Sequence, residues 1–413
     1  MTEHITSEIA VIGAGVIGLT VALRLAQDGR TVLLLDPAEP GSGASYGNAG
    51  AIADYAVEPV GTPELLMDLP SLLFDRNSPV AIRRGGYAAL TTWLSRFAVQ
   101  SLPGPARRNG KAIAALVRDA RTRWQALAAE VGGSDILQHK GVLYLYATSA
   151  EFRAAEKAAA KKRALGAVFD LIDPAALSAL EPNLPPAAGA AFYSGAATLN
   201  DPGRMMSLLG AAVAAAGVEH RRQRADRLER QVDGVTVHGP GMRLHARRVV
   251  IAAGAHSRGL AFSAGDRVPL DTERGYHVEW DMATPLLSRP VCPTARGFYL
   301  CPMSGRLRAA GTVELGGLRA PPSPHRVAKL IEGARSIFPD LGTPAREWMG
   351  FRPSLPDSLP VIGPSKSGTE IIHAYGHGHI GITLAPMTAA LVADIVAGRE
   401  PALPLAPYRP GRF

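Results

Sequence analysis

"EIAVIGAGVIGLTVALRLAQDGRTVLLLD", residues 8–36, decides the fold. A short apolar strand turns through Gly13, Gly15 and Gly18 into a helix that runs to about Asp28. Gly29 ends that helix, and "TVLLL" is a second buried strand closing on Asp36. The order is β-α-β. Gly13 permits the tight turn, Gly15 lets backbone approach a pyrophosphate, and Gly18 lets the helix pack on the strand. The helix N-terminus, at Val16 and Ile17, then faces the negative charge. Asp36 falls where a carboxylate accepts hydrogen bonds from a ribose diol; an acid there argues against a 2′-phosphate and leaves NAD or FAD. The apolar run from Ile9 to Ala26 could imitate a signal or membrane segment, but it contains three spaced glycines and Arg24 and has no basic flank before it.

A chain of 413 residues exceeds the usual single domain, so two domains are expected, or one large α/β domain with another inserted. With 47% apolar and 19% charged residues, the composition excludes disordered and fibrous classes. The net charge of +8 would favour anionic partners, yet the basic residues are scattered. The densest clusters, "RRQR" at 221–224 and "KKR" at 161–163, are too short for a nucleic-acid interface. Loose attraction to an anionic bilayer is compatible with the charge. Cys292 and Cys301 are the only cysteines, which leaves no disulfide framework and no structural zinc site. A reducing, cytoplasmic setting follows, with the inner face of the cytoplasmic membrane as the place for any peripheral association.

"GSGASYGNAG", residues 41–50, has no regular period; it is either a flexible surface loop or a second lining for the phosphates, with Ser45 and Asn48 at backbone-bonding positions beside Ala49 and Gly50. From about Gly85 the pattern turns helical, in "IAALVRDARTRWQALAAEV" (113–131) and "SAEFRAAEKAAAKKRALGA" (149–167), with a strand candidate "GVLYLYA" (141–147) between them. A helix is predicted from Asp201 to near Gly217, then a hairpin. Next, "ARRVVIAAGAHS" (246–257) reads as a buried parallel strand delivering Ala253 and Gly254 to the cofactor. Residues 268–315 alternate as antiparallel strands do.

"IIHAYGHGHIGIT", residues 371–383, crowds three histidines round three glycines. No acid or cysteine joins them locally, so no metal is expected; the glycines of a tight turn between the last parallel strand and the helix "APMTAALVADIVAG" carry the signal.

The first β-α-β unit with Asp36, "SYGNAG", "RVVIAAGAHS", "GFRPSLPDSLPVIG" (350–363) and "GHGHIGIT" (376–383) together resemble the FAD-dependent D-amino-acid oxidase superfamily, and within it the D-amino-acid dehydrogenases most closely. The resemblance implies an α/β protein: a discontinuous Rossmann-like FAD-binding domain over 1–85, 201–265 and 346–413. An inserted α+β substrate domain, 86–200 and 266–345, is built on a mostly antiparallel sheet. Gly378, His379, Ile380, Gly381 and Thr383 form the implied second landing loop, its helix aiming amides at the flavin's electron-rich edge. Arg352 is the implied carboxylate clamp, since a planar guanidinium bonds a carboxylate two-pronged; the alternative is an ion pair with nearby Asp357. Tyr276, His277 and Tyr299 are candidates to face the substrate, or else core aromatics with satisfied polar tips. The resemblance puts His379, where glycine oxidases carry arginine, at a position that faces the substrate, there to contact the substrate or to tune the flavin.

The implied reaction is hydride transfer from an amino-acid Cα to flavin, needing no dedicated catalytic base. The imino acid hydrolyses to a 2-oxo acid and ammonia; a cyclic substrate such as D-proline or hydroxy-D-proline gives a pyrroline carboxylate. Electrons pass to a quinone or other acceptor. The rivals are a glycine- or sarcosine-type amine oxidase using O2, and a nucleotide-binding protein without turnover.

Overall fold

The computed structural model describes residues 3–67, 80–82 and 87–413. Along the chain, the elements that build the site are β1 (Glu3–Ile12), α1 (Val16–Gln27), β2 (Val32–Leu35), α2 (Ala120–Glu130), β3 (Met242–Ile251), β4 (Asp271–Asp281), β5 (Phe298–Met303), β6 (Arg306–Leu315), α3 (Pro324–Arg335), β7 (Arg346–Ser354), β8 (Gly368–Tyr375) and α4 (Gly381–Ala397).

The two apolar runs of the opening motif are neighbouring parallel strands: β2 pairs β1, β1 pairs β3, and β3 pairs β8, all parallel. Glu219–Arg221 extends the sheet beyond β2, and an antiparallel strand, Val361–Ser365, closes it beyond β8. These strands read as continuous apolar runs because both faces are covered. Ile9, Val11, Val32, Leu34, Val250 and Ile372 enter the core under α1 and α4, while Ala10, Ile12, Leu33, Leu35, Ile251 and Ile371 enter the core on the opposite face. Gly378–Ala397 is the one helical stretch among the described residues long and apolar enough to cross a membrane. It is 67% buried within the fold, packed against α1 and α2.

The second sheet has nine strands, with β7, β4, β6 and β5 adjacent in that order and antiparallel throughout this part. α3 covers one face, burying Leu330 and Ala334 against Val278 and Leu307. The expected mostly antiparallel sheet and the Rossmann-like sheet are both present, joined into a mixed α/β architecture.

The chain divides differently from the expected segments. β7 lies in the antiparallel sheet, so the return to the nucleotide sheet falls after Ser354, not at 346. The expected single helix over 113–131 is two, Pro103–Val117 and α2. α2 packs in the nucleotide core, where fully buried Trp124 donates from Nε1 to the Ile382 carbonyl at 2.8 Å.

Candidate active site

A cavity of about 840 Å³ opens at the carboxyl ends of β1, β2, β3 and β8 and is roofed by the antiparallel sheet. This is where ligands bind in open parallel sheets, beside the strand at which chain order reverses. Gly13 has φ +108° there, and a Cβ would stand 2.4 Å from the Ala252 carbonyl oxygen. α1 begins at Gly15 without a side-chain cap, leaving amides free to meet an anion. Ser45 accepts one of them, from Val16, at 2.9 Å. The Asp36 carboxylate accepts from the amides of Ala14 (2.7 Å) and Ala38 (2.9 Å) at the cavity's edge, which fixes its orientation. Ile17, Asn48, Ala49, Ala253 and Gly254 also line the space.

Two expected cofactor contacts do not reach it. A Cβ on Gly18 would stand 1.7 Å from the Gly13 carbonyl oxygen, so Gly18 serves the turn's own backbone. Gly50, at φ +80°, leaves no room for a Cβ, which would stand 2.2 Å from the Leu199 carbonyl oxygen, and accepts from the Leu199 amide at 2.7 Å, which ties the loop to a neighbouring strand.

The loop 45–50 is clamped from the roof. Arg308, fully buried, donates to the carbonyls of Asn48 (2.6 Å) and Tyr46 (3.2 Å). His277 Nδ1 pairs with the Gly47 carbonyl at 3.2 Å and its ring stacks on Trp348 with centroids 5.0 Å apart. A Cβ on Gly47 would fall 2.1 Å from the Trp348 indole. His277 therefore orders the loop and does not line the cavity, contrary to the expectation that it faces the substrate.

The three C-terminal histidines do not converge on one point. His373 Nε2 meets Asp266 Oδ2 at 2.8 Å, His377 Nε2 meets Thr388 Oγ1 at 2.9 Å along α4, and both His377 and His379 line the cavity. Among the described residues no group of histidine, cysteine, aspartate and glutamate side chains could hold a metal ion. Gly376 and Gly378 take φ +87° and +54°, left-handed values that swing the chain into α4. Gly378, His379, Ile380, Gly381 and Thr383 all line the cavity, and Thr383 Oγ1 accepts from the Ala53 amide at 2.9 Å, locking α4 to the segment that follows the loop 45–50.

Burial pushes the His277 imidazole down to about 4 and the His377 imidazole to about 3, from an ordinary 6.5. Unfolding lets both take protons more readily, so their contribution is full above pH 6.5 and is lost as pH falls through 6.5 toward these values. Thermal unfolding should show Tm dropping steeply in that acid window, with a smaller drop in His277→Gln, which keeps a donor for Gly47; equal drops would contradict the assignment.

At the substrate end, Arg352 Nη1 donates to the Thr312 carbonyl at 3.1 Å. Thr312 holds φ +56°, rare for a β-branched residue, and a register shift between Arg274 and Tyr276 accompanies it. The guanidinium crosses Gly275, where a Cβ would stand 2.5 Å from its Cζ. Asp357 is not its partner: Arg412 takes that carboxylate two-pronged, at 2.6 and 3.2 Å. Among the described residues Arg352 closes no ion pair, and burial lowers its pKa. Tyr299 lines the cavity with its hydroxyl in a short contact to Tyr144. Burial, with the Arg352 charge second, pushes the His379 imidazole down to about 4. Tyr276 also lines the cavity, but most of its ring packs in the core under α3 and its hydroxyl is taken by Glu314 at 2.6 Å.

Arg308, Trp348, Gly47, Gly275 and Thr312 escaped the sequence reading. Lone glycines in strand patterns were the available sign for close backbone approach.

A dinucleotide cradle with free helix amides, an acid for a ribose and an unpaired arginine under a β roof define a dinucleotide-dependent oxidoreductase. Residues 8–395 match the family described as DAO: FAD dependent oxidoreductase. The chain is 32% identical over 418 residues to a D-amino-acid oxidase of Bradyrhizobium diazoefficiens, covering 98% of each chain. It is 32% identical over 426 residues to D-amino acid dehydrogenase 2 of Ralstonia nicotianae, covering 97% of this chain and 99% of the relative. The crystal structure of glycine oxidase from Geobacillus kaustophilus superposes with a TM-score of 0.77 at 26% identity, covering 99% of each chain. The chain belongs to the DAO family of FAD-dependent oxidoreductases. Its cavity fits FAD on its own geometry: the N-termini of α1 and α4 open on it, Asp36 stands at its edge, and it has volume for a dinucleotide besides a small substrate.

Proposed function

We propose that this enzyme oxidises D-amino acids at the Cα–N bond, yielding an imino acid that hydrolyses to a 2-oxo acid, and passes two electrons to a quinone or other acceptor. The observation that carries the reading is Arg352: a guanidinium without a carboxylate partner, braced by the Thr312 carbonyl, on the wall of a flavin-sized cavity. Relatives at 32% identity named D-amino-acid oxidase and dehydrogenase support the D configuration.

Asp36, the amides of Gly15 and Ile17, and loop residues Ser45, Asn48 and Ala49 would hold the dinucleotide, with Ala253, Gly254 and residues 378–383 on its far side. FAD supplies the two-electron acceptor when bound. The α4 N-terminus opens on the cavity and favours negative charge there. Arg352 takes the substrate carboxylate, which leaves the Cα–H direction set by where the side chain can lie. Tyr299 and His379 bound that side-chain space. His379, its imidazole low at about 4, is neutral near pH 7 and does not repel the amine. Small rings such as D-proline and hydroxy-D-proline suit a wall of this kind.

Anaerobic absorbance of the holoenzyme tests the reading against D- and L-amino acids, including both configurations of proline and 4-hydroxyproline. Bleaching by D-amino acids and not by their mirror images is expected. Bleaching by glycine or sarcosine alone would replace it with the glycine-oxidase-type reading, which the likeness to that structure favours second.

A further inference from the structure

Glu273 has no part in the account above. It stands opposite Arg352 in the register of β4 and β7 and is 9% exposed. Arg352 Nη1 donates to the Thr312 carbonyl, and the guanidinium and the Glu273 carboxylate feel each other's charge without closing an ion pair. Its polar neighbours are the Arg352 guanidinium and the Ser354 hydroxyl, and burial raises its pKa above the ordinary carboxyl value. Glu273 faces a second, small cavity of about 20 Å³, with room for about one water. Ser354, Ser358, His377, His379 and Glu58 line it too, and His379 also lines the main cavity. Glu58 is the outer end: its side chain is 25% exposed and pairs with Lys161 at 3.2 Å and Lys162 at 3.9 Å.

The geometry points to a proton exit: the ammonium proton of an amino-acid substrate leaves the main cavity through the His379 imidazole to the Glu273 carboxylate, then crosses the small cavity to Glu58 and solvent. This rests on the proposed amino-acid reading, because only an amine that must become neutral before oxidation has such a proton to lose. The step balances. The substrate N–H bond breaks and its electron pair stays on nitrogen as the lone pair. One His379 ring nitrogen takes the proton while the other releases its own, and a Glu273 oxygen gains it with no change of oxidation state. The charged groups that face the route are Arg352 from β7, His377 and His379 from the turn before α4, and Glu58 with Lys161 and Lys162. His379, low at about 4, does not retain a proton, whereas Glu273, raised by burial, accepts one.

The test compares anaerobic flavin reduction in wild-type, E273Q, E273D and E58Q holoenzymes across pH, using the D-amino acid that reduces wild type fastest. E273Q should be slowed about 10-fold or more near neutrality. The deficit should close at alkaline pH, where the amine is already neutral, with substrate affinity unchanged. E273D should recover part of the rate, and E58Q should show a smaller deficit of the same pH shape. A second readout needs no turnover. Binding of 2-aminoisobutyrate, which has no Cα–H, should raise a protonated-carboxyl band in the infrared difference spectrum of wild type and not of E273Q. A pH-independent deficit, a loss of carboxylate affinity, full E273Q activity at neutral pH, or no such band in wild type overturns the route. If E273Q fails to hold FAD, E58Q and the wild-type band decide. Wild type that no amino acid reduces would defeat the functional reading itself, and the route with it.

Discussion

Replacing Arg352 with alanine should cut kcat/KM for an amino-acid substrate by about 10²–10⁴-fold, equivalent to roughly 3–5 kcal/mol, while FAD stays bound. The guanidinium reaches the cavity with one nitrogen committed to the Thr312 carbonyl, and Gly275 beneath leaves it space no other residue would. A buried substrate carboxylate left unpaired carries its desolvation cost in full. Much of the loss should appear in KM, because the contact holds ground state and transition state alike. Arg352→Lys keeps the charge but not the two-pronged geometry and should fall between. Steady-state kinetics with the flavin spectrum as a control for occupancy decides it; wild-type kinetics in R352A would remove the arginine from the site.

Arg308→Met should lower stability by about 3–5 kcal/mol and strip much of the bound FAD. Arg308 meets Glu279 at 2.7 Å, with Arg306 at 3.0 Å and Arg346 at 2.9 Å on the same carboxylate. Burial alone would push Glu279 up; the Arg308, Arg346 and Arg306 guanidiniums overcome it and hold the carboxyl at about 2. Removing Arg308, the fully buried one of the three on Glu279, also leaves the Tyr46 and Asn48 carbonyls without this donor, so the loop 45–50 loosens together with the roof. Thermal unfolding and the flavin-to-protein absorbance ratio report the two effects. A destabilised variant with full FAD content would show that Arg308 supports the roof alone.

The opening β-α-β unit was readable because its signals are local. Left-handed backbone at Gly13 and the steric closeness of Gly18 to Gly13 leave no other residue at those positions, and two strands covered on both faces must be apolar throughout. The turn before α4 was readable for the same reason, with Gly376 and Gly378 left-handed. The antiparallel roof showed in its alternation, but its assignment of side chains to faces did not. Tyr276 and His277 are adjacent, so they point to opposite sides of β4; one enters the core under α3 and the other grips Gly47.

Sequence by itself thus determined the dinucleotide fold, the cradle glycines, Asp36 and the candidacy of Arg352, all matters of local backbone geometry or of a residue type whose chemistry has few substitutes. Tertiary structure alone decided that His377 and His379 line the cavity while His373 does not, that Arg308 and His277 hold the loop 45–50, and that Glu273 stands beside Arg352 without an ion pair. Those outcomes depend on strand register and on which elements cross above the sheet. A shift of one residue in register exchanges every side chain between the core and the site.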